Sequence, residues 1–323
     1  MSFANSSITD IIALTIRNRS KEIFDNVTKN NAVLMKLKQK GNIRTISGGY
    51  DILEEISFQE NGNVSWYSGY DPLAVAAQDV ISAAQFYLKQ LACPVTISGL
   101  EKLQNSGKEQ MMDLLDKRIG VAESTMANKL AAGVYADGTG YGGKELVGLG
   151  AAVVANPTSG EYGGINRATW TFWQNQYTGS LGTPTSSNIQ GFMNALWVKQ
   201  VRGKDRPDLI LTGNTLYATY EASLQAQQRF VDTKTGDLGF PSIAYKDCPV
   251  VLDGGIGGNC PATVMYFLNT SYIFLRPHKD RNMVSLDPSR RVSINQDAEV
   301  AILAWAGAFT TSNSSLQGYF QGS

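Results

Sequence analysis

SGKEQMMDLLDKRIGVAESTMANKLAAG, residues Ser106 to Gly133, is the stretch from which the rest of the chain is read. Ser106 and Glu109 have the S-x-x-E spacing of a capping box, in which a hydroxyl and a carboxylate satisfy two N–H groups left open at a helix start. Behind them Leu115, Ile119, Ala122, Met126 and Leu130 recur at steps of four, three, four and four, one apolar stripe on a helix. Gly133 and then Tyr135-Ala136-Asp137-Gly138 supply the stop. At a rise of about 1.5 Å per residue this helix runs about 40 Å, long enough to be the backbone of a subunit.

Upstream the pattern is extended. Ile43-Arg44-Thr45-Ile46, Ile52 to Phe58 and Val80 to Ile97 read as strands, with turn signals at Gly48-Gly49, Asn61-Gly62-Asn63 and Asp71-Pro72. Two arms of about 15 residues would each reach about 50 Å. A hairpin of that length has no room to bury both faces in one chain, and it is expected to reach across a neighbour. Before it, residues 1–41 read as short helical pieces, Ser7 to Val27 and Ala32 to Leu37, broken at Asn30-Asn31. Their apolar groups are too few to close a core, so this segment is expected to be an arm packed on something else.

Downstream, residues 151–270 read as a mixed α/β unit. Ile189 to Val201 is amphipathic, Asp208 to Leu211 and Pro249 to Leu252 are short strands, and Leu216 to Gln228 is helical. Val264 to Leu275 and Val292 to Phe309 run or alternate apolar like sheet, and no charged residue follows Glu299.

Catalytic patterns are weak. Gly138-Thr139-Gly140-Tyr141-Gly142-Gly143-Lys144-Glu145 fits G-x-G-x-x-G and nearly fits a phosphate loop, but Glu145 stands where a Mg²⁺-binding hydroxyl is needed, and a helix precedes it instead of a strand. It is read as a turn. His278, the only histidine, sits in a basic turn with neither zinc partners nor a nucleophile relay. Cys93, Cys248 and Cys260 show no C-x-x-C pairing and read as small buried hydrophobes of a reducing compartment. Glu54 and Glu55 are adjacent on a strand, so they face opposite sides and share no substrate. The Met1-Ser2-Phe3-Ala4-Asn5 start lacks a basic leader and an apolar core, and no run approaches a membrane span, so neither secretion nor membrane insertion is expected.

Composition bears on partners. The chain has 323 residues, 28 basic and 28 acidic, and a net charge of zero argues against gripping nucleic acid by electrostatics alone. Charged residues are 17% of the chain, against about 25% in typical domains. Asn, Gln, Ser and Thr fill the gap with 86 residues, an odd surface for a free monomer, which usually stays soluble through charge. Charges are also sorted: residues 1–44 hold eight bases and three acids, residues 51–79 hold six acids and no base, and residues 276–291 hold five bases and two acids. Complementary patches of this kind set register between subunits. Glu54, Glu55, Glu60 and Asp71 are therefore expected to dock against a neighbour's Arg276, Lys279, Arg281, Arg290 and Arg291, or against the basic arm.

The order of parts (arm, acidic hairpin, long helix, α/β unit, returning strands) resembles the major capsid proteins of tailed bacteriophages with the Hong Kong 97-like fold. The strings that carry the resemblance are Val95-Thr96-Ile97-Ser98-Gly99 with Glu101 and Asn105-Ser106-Gly107, then Tyr162-Gly163-Gly164-Ile165 with Arg167 and Trp173. Arg206-Pro207-Asp208-Leu209-Ile210, Gln228-Arg229-Phe230, Phe267-Leu268-Asn269-Thr270 and Gln317-Gly318 follow in order, so the likeness runs over essentially the full chain.

The resemblance implies an α+β fold divided into an N-terminal arm (1–41), an extended loop (42–97), a peripheral domain (98–150 and 271–323, with a spine helix at 106–133) and an axial domain (151–270). It implies a structural protein, not an enzyme, with no cofactor and no metal. Such a protein self-assembles from pentamers and hexamers into an icosahedral shell around double-stranded DNA, without sequence-specific contact. Virion localisation, assembly in the host cytoplasm, and portal and decoration partners come with that reading. Some relatives crosslink through a lysine on the extended loop; here none lies between Lys40 and Lys89, so that chemistry is not expected. Others carry a long N-terminal scaffolding segment, for which the position of the spine helix leaves no room, so a separate scaffolding protein is expected. Two other readings stand beside it. A cellular nanocompartment shell of the same fold would copurify with protein cargo, and a Gly-loop nucleotide-binding enzyme would bind nucleotide in a titration.

Overall fold

The computed structural model describes residues 31–104, 108–179, 182–224, 242–254, 258–286 and 298–322. The helical pieces expected before Asn31, the Ser106 cap, Gln228-Arg229-Phe230, Arg290 and Arg291 lie outside the described residues.

Among the described residues the first helix is α1 (Ala32–Gln39). The Asn31 side chain caps it by accepting from the Val33 and Leu34 N–H groups, which satisfies two otherwise open donors. Lys36 and Lys38 sit in its last turn, where the helix dipole favours cations. The helix buries Ala32, Val33, Leu34 and Leu37 against its own subunit. Leading on from it, Ile43 and Ile46 run parallel to Leu275 and His278 as single bridges, not as the strand their composition suggests. This part of the expected arm is docked within the chain.

Strands β1 (Asp51–Ser57) and β2 (Ile81–Tyr87) form an antiparallel ribbon, in register from Asp51↔Tyr87 to Ser57↔Ile81. The arms are seven residues each, half the expected length. The extended run from Val80 to Ile97 does exist, but it is divided at Leu88. Strand β3 (Lys89–Ser98) leaves the ribbon to pair with a later strand. The cause lies in that later strand, whose largely apolar length needs a partner along both edges.

A capping box closes β3: the Glu101 carboxylate accepts from Ser98 N–H at 3.0 Å while Ser98 Oγ accepts from Glu101 N–H at 3.3 Å. Helix α2 (Gly99–Gln104) follows, then the long helix α3 (Lys108–Tyr135). The stripe is where the periodicity places it: Ile119, Ala122, Met126 and Leu130 are buried against β3 and its neighbours. At about 1.5 Å per residue its 28 residues span about 42 Å.

After short hairpin strands β4 (Glu161–Tyr162) and β5 (Ile165–Asn166) and strand β6 (Gln176–Thr178) comes helix α4 (Ile189–Gln200). Strand β7 (Leu209–Thr212), helix α5 (Asn214–Leu224), and strands β8 (Ser242–Tyr245), β9 (Cys248–Leu252) and β10 (Val264–Leu268) complete the α/β unit. Strands β11 (Ile273–Pro277), β12 (Val284–Ser285), β13 (Ala298–Thr311) and β14 (Gly318–Gln321) return.

Two larger sheets result. One has the order β6-β14-β10-β7-β9-β8, with β7 and β10 buried at every position between covering elements. Its helices α4 and α5 close a core around Met193, Leu196, Tyr220, Phe267 and Phe320. The other is centred on β13, flanked by β11 and β12 on one edge and β3 on the other. Strand β14 thus crosses from the terminal segment into the α/β sheet.

The corner between the sheets is held by polar side chains, the amides of Gln317 and Asn269 and the Asp208 carboxylate. Gln317 Nε2 donates to Asn269 O at 3.1 Å and its Oε1 accepts from Asn269 N–H at 3.0 Å, while Thr270 donates twice to Asp208. Three of the resembling strings meet here. Part of the Asn, Gln and Thr excess is therefore spent on interior hydrogen bonds, each of which avoids a buried unsatisfied group.

Candidate subunit-contact site

The ribbon of β1 and β2 is anchored in the core by Ile52, Ile56, Ala84 and Phe86 and leads out to an exposed connection. Alternation along β1 turns Ile52, Glu54 and Ile56 inward and Leu53, Glu55 and Ser57 outward. Glu54, 6% exposed, meets Arg276 of β11 in a two-pronged ion pair, Nε to Oε1 at 2.7 Å and Nη2 to Oε2 at 2.8 Å. Thr310 Oγ1 of β13 adds a third donor at 2.7 Å. Arg276 also lies over the Phe274 ring, its guanidinium 4.9 Å from the centroid.

On the ribbon's other side β4 and β5 form a clasp. Gly163 and Gly164 make the turn with φ of 61° and 72°, the left-handed region that two-residue hairpins require. A Cβ at Gly163 would stand 3.0 Å from Phe86 and 3.1 Å from Ala84, so glycine also permits the close approach. Gly163 O accepts from Gln85 N–H at 2.9 Å, Phe86 meets Tyr162 edge to face at 5.3 Å, and Tyr162 stacks on Trp173 at 6.1 Å. Trp173 Nε1 donates to Tyr162 O. Arg167, 3% exposed, covers the Tyr162 ring and donates to the Ala151 and Ala152 carbonyls. Burial pushes the Tyr162 hydroxyl up to about 12 and lowers the Arg167 guanidinium from its ordinary value.

The connection between β1 and β2, residues 58–80, is the opposite. Trp66 is 104% exposed and Tyr70 106%, with Val64, Tyr67, Leu73 and Val75 open beside them. The tip is nonetheless shaped: Asn63 Nδ2 donates across it to Ala76 O, and Ser68 and Asp71 close a turn.

The residues expected to contact a neighbour divide accordingly. Glu54 and Arg276 pair with each other inside one chain, so for these two the expected pairing across subunits is corrected; strand alternation sends Glu54 inward with two isoleucines. Glu55 and Glu60 are exposed, as is Asp71, whose carboxylate accepts from Ser68 N–H. Lys279 and Arg281 are exposed on the turn after β11, with Arg281 donating to Gln90 at 2.9 Å. The charge arithmetic singled out the acidic loop but passed over its aromatic content. It also missed the Gly-Gly clasp, which only the resembling string Tyr162-Gly163-Gly164-Ile165 marked.

The candidate chemical groups are structural. Residues 138–145 form a turn after α3, tied by Asp137 to Thr139 and by a bridge from Asp137 to Val147. His278 is half-buried, and its Nδ1 accepts from Asp280 N–H. Cys248 and Cys260 are buried thiols that burial pushes up, while Cys93 is half-buried. Among the described residues no three His, Cys, Asp or Glu side chains gather to hold a metal, and no helix is long and apolar enough to cross a membrane.

No protein-family model matches the sequence, and no curated protein matches it. Solved structures do. A chain of the cyanophage A-1(L) capsid asymmetric unit aligns with a TM-score of 0.65 at 19% identity, over 89% of this chain and 93% of that one. The capsid of the native GTA particle follows at 0.55 and 12%, and a chain of Mycobacterium phage Bobi at 0.53 and 12%, each over 90% of both chains. The shared architecture extends over nearly the whole chain, and the fold is the Hong Kong 97-like fold of phage capsid proteins.

Proposed function

We propose that this chain is the major capsid protein of a tailed phage, a structural subunit that self-assembles into an icosahedral shell around double-stranded DNA. The observation that carries the reading is the hairpin tip. A free monomer does not keep a tryptophan and a tyrosine fully in water, with a second tyrosine largely exposed beside them, at the end of a clasped arm; exposed apolar clusters of this kind mark contact with another protein. The capsid fold supplies the geometry in which that partner is a second copy of the chain.

The division into parts supports the same reading. The β13-centred sheet with α3 serves as the peripheral domain, to which β3 is added from the expected loop. The six-stranded sheet serves as the axial domain, with β14 recruited from the terminal segment. Residues 50–87 serve as the extended loop. A scaffolding protein in trans, portal and decoration partners, and assembly in the host cytoplasm complete the proposal. The Gly loop at 138–145 follows a helix and has no phosphate-binding strand before it, which weighs against a nucleotide enzyme.

Electron microscopy of the purified chain tests this directly. Closed shells, or capsomers that close when a scaffold is supplied, are the expected result. A monomer that stays monodisperse over a broad range of concentration, salt and crowding overturns it. Particles of uniform size from the chain alone would remove the need for a scaffold while leaving the shell reading intact.

A further inference from the structure

Where the ribbon gives way to its connection, a notch of about 330 Å³ is lined by Phe58 and Ser82 from the ribbon's outer end, and by Ile165, Asn166, Trp170 and Phe172 from the clasp and the turn after it. Three rings meet there. Phe58 stacks on Phe172 at 5.6 Å, and Trp170 stands edge-on to both, at 5.8 and 5.9 Å. Phe172 leans in turn on the buried Trp173 at 6.3 Å, so the clasp core fixes the cluster in place. Trp170 remains 47% exposed. A half-open indole on a rigid backing is a platform, held ready at little cost in side-chain freedom.

The charge of the notch decides what it suits. Among the described residues no charged side chain lines it, so neither a phosphate nor a carboxylate finds a counter-ion there. An ammonium group needs rings spread around it as a cage; these three touch one another and leave no space between them. A wholly apolar ligand would strip water from polar groups and give nothing back. Asn166 Oδ1 is engaged by Ala168 N–H, while Asn166 Nδ2 and Ser82 Oγ have no partner among the described residues. A neutral molecule with a C–H face and a rim of hydroxyls satisfies both halves. The face lies on the indole, and the hydroxyls pair with the amide and the serine. A saccharide is built in this way, and the notch falls in the size range of small-ligand pockets.

We infer that the notch beside the clasp binds a neutral saccharide, with Trp170 as its stacking platform and Asn166 and Ser82 as its hydroxyl partners. This site is distinct from the exposed hairpin tip, and it stands whether or not the shell reading does.

Saturation-transfer NMR on sugar protons tests it, using full-length chain, free or assembled, with maltose, cellobiose and lactose as the neutral disaccharides. Saturable binding of at least one, in the millimolar range, is expected. Trp170→Ala should weaken that binding about tenfold, as the loss of an aromatic stack implies. Trp170→Phe keeps a ring and should stay within about threefold of the parent. Ser82→Ala, an exposed change, should weaken binding about fivefold. Trp66→Ala with Tyr70→Ala should leave it unaltered, which separates this site from exposed aromatic surface in general. Denaturant midpoints are read alongside; if Trp170→Ala unfolds, the Ser82→Ala loss against the unaltered tip variant decides the question. No saturable binding of any of the three sugars overturns the inference, as does equal binding by folded Trp170→Ala or by Ser82→Ala. A polyproline peptide that binds where the sugars do not overturns it too. Loss of shells in Trp170→Ala, with no sugar bound by the parent, would make the notch a contact between copies and likewise overturn it.

Discussion

The root and the tip of the hairpin are built from the same residue types and have opposite fates. At the root, Phe86 packs edge to face on Tyr162, which stacks on Trp173, and Glu54 meets Arg276 and Thr310. At the tip, Trp66, Tyr67 and Tyr70 are exposed. Aromatic area at the root stabilises the monomer. Aromatic area at the tip has no partner until a second molecule arrives. One element therefore belongs to two equilibria, folding at one end and association at the other, and substitutions along it should separate them.

The largest separation comes from two tryptophans. Trp173→Ala removes a fully buried ring from the clasp and is expected to cost about 3–5 kcal/mol of monomer stability, read as a lowered denaturant midpoint. Trp66→Ala with Tyr70→Ala is expected to leave that midpoint within about 0.5 kcal/mol, as surface changes do, while abolishing shells by microscopy. Loss of monomer stability in the tip variant would mean that the tip folds back onto its own subunit, and the comparison would collapse.

Adjacent glutamates give the next contrast. Glu54→Ala leaves Arg276 without its counter-ion and is expected to cost about 3 kcal/mol. Glu55→Ala, one residue away and on the outer face, is expected to change monomer stability by less than about 0.5 kcal/mol. Glu54→Leu with Arg276→Met should recover most of the loss, since an apolar pair of similar volume carries no desolvation cost. A double-mutant cycle with no coupling would show that the pair is solvated and does not set the ribbon's direction.

Much of this was legible in the residues, for reasons that differ by region. Helix α3 was readable because its stripe repeats over several turns and the Gly133 region ends it. The strands of the α/β unit were readable because buried apolar runs are bounded by Pro207 and Pro249. The break at Leu88 was not, since nothing local distinguishes a strand that continues from one that changes partners; only β13, two hundred residues later, decides it. The same limit hid the Glu54–Arg276 pair: alternation showed that Glu54 and Glu55 diverge, but which of them turns inward depends on long-range register. Charge sorting located the acidic loop correctly, yet sign alone does not say whether a carboxylate seeks its own chain or another.

The smallest effect concerns a carboxyl held in the body. Tyr135, the last residue of α3, donates its hydroxyl to Asp253 just beyond β9, with Cys260 and Tyr266 close by. Burial raises Asp253 above the ordinary aspartate value of 3.8, partly offset by the Tyr135 hydrogen bond. Ionisation therefore costs the folded state more than the unfolded one. The stability this group contributes is complete below the ordinary value and declines as pH rises through the raised one. Asp253→Asn keeps an oxygen for Tyr135 and removes the charge, so the variant should gain on the parent at neutral pH and lose that advantage towards pH 4. Thermal melts of the two chains at matched pH values read the difference. A gap that stays constant with pH would place the carboxyl in contact with water, on the solvent side of the division that the hairpin's two ends define.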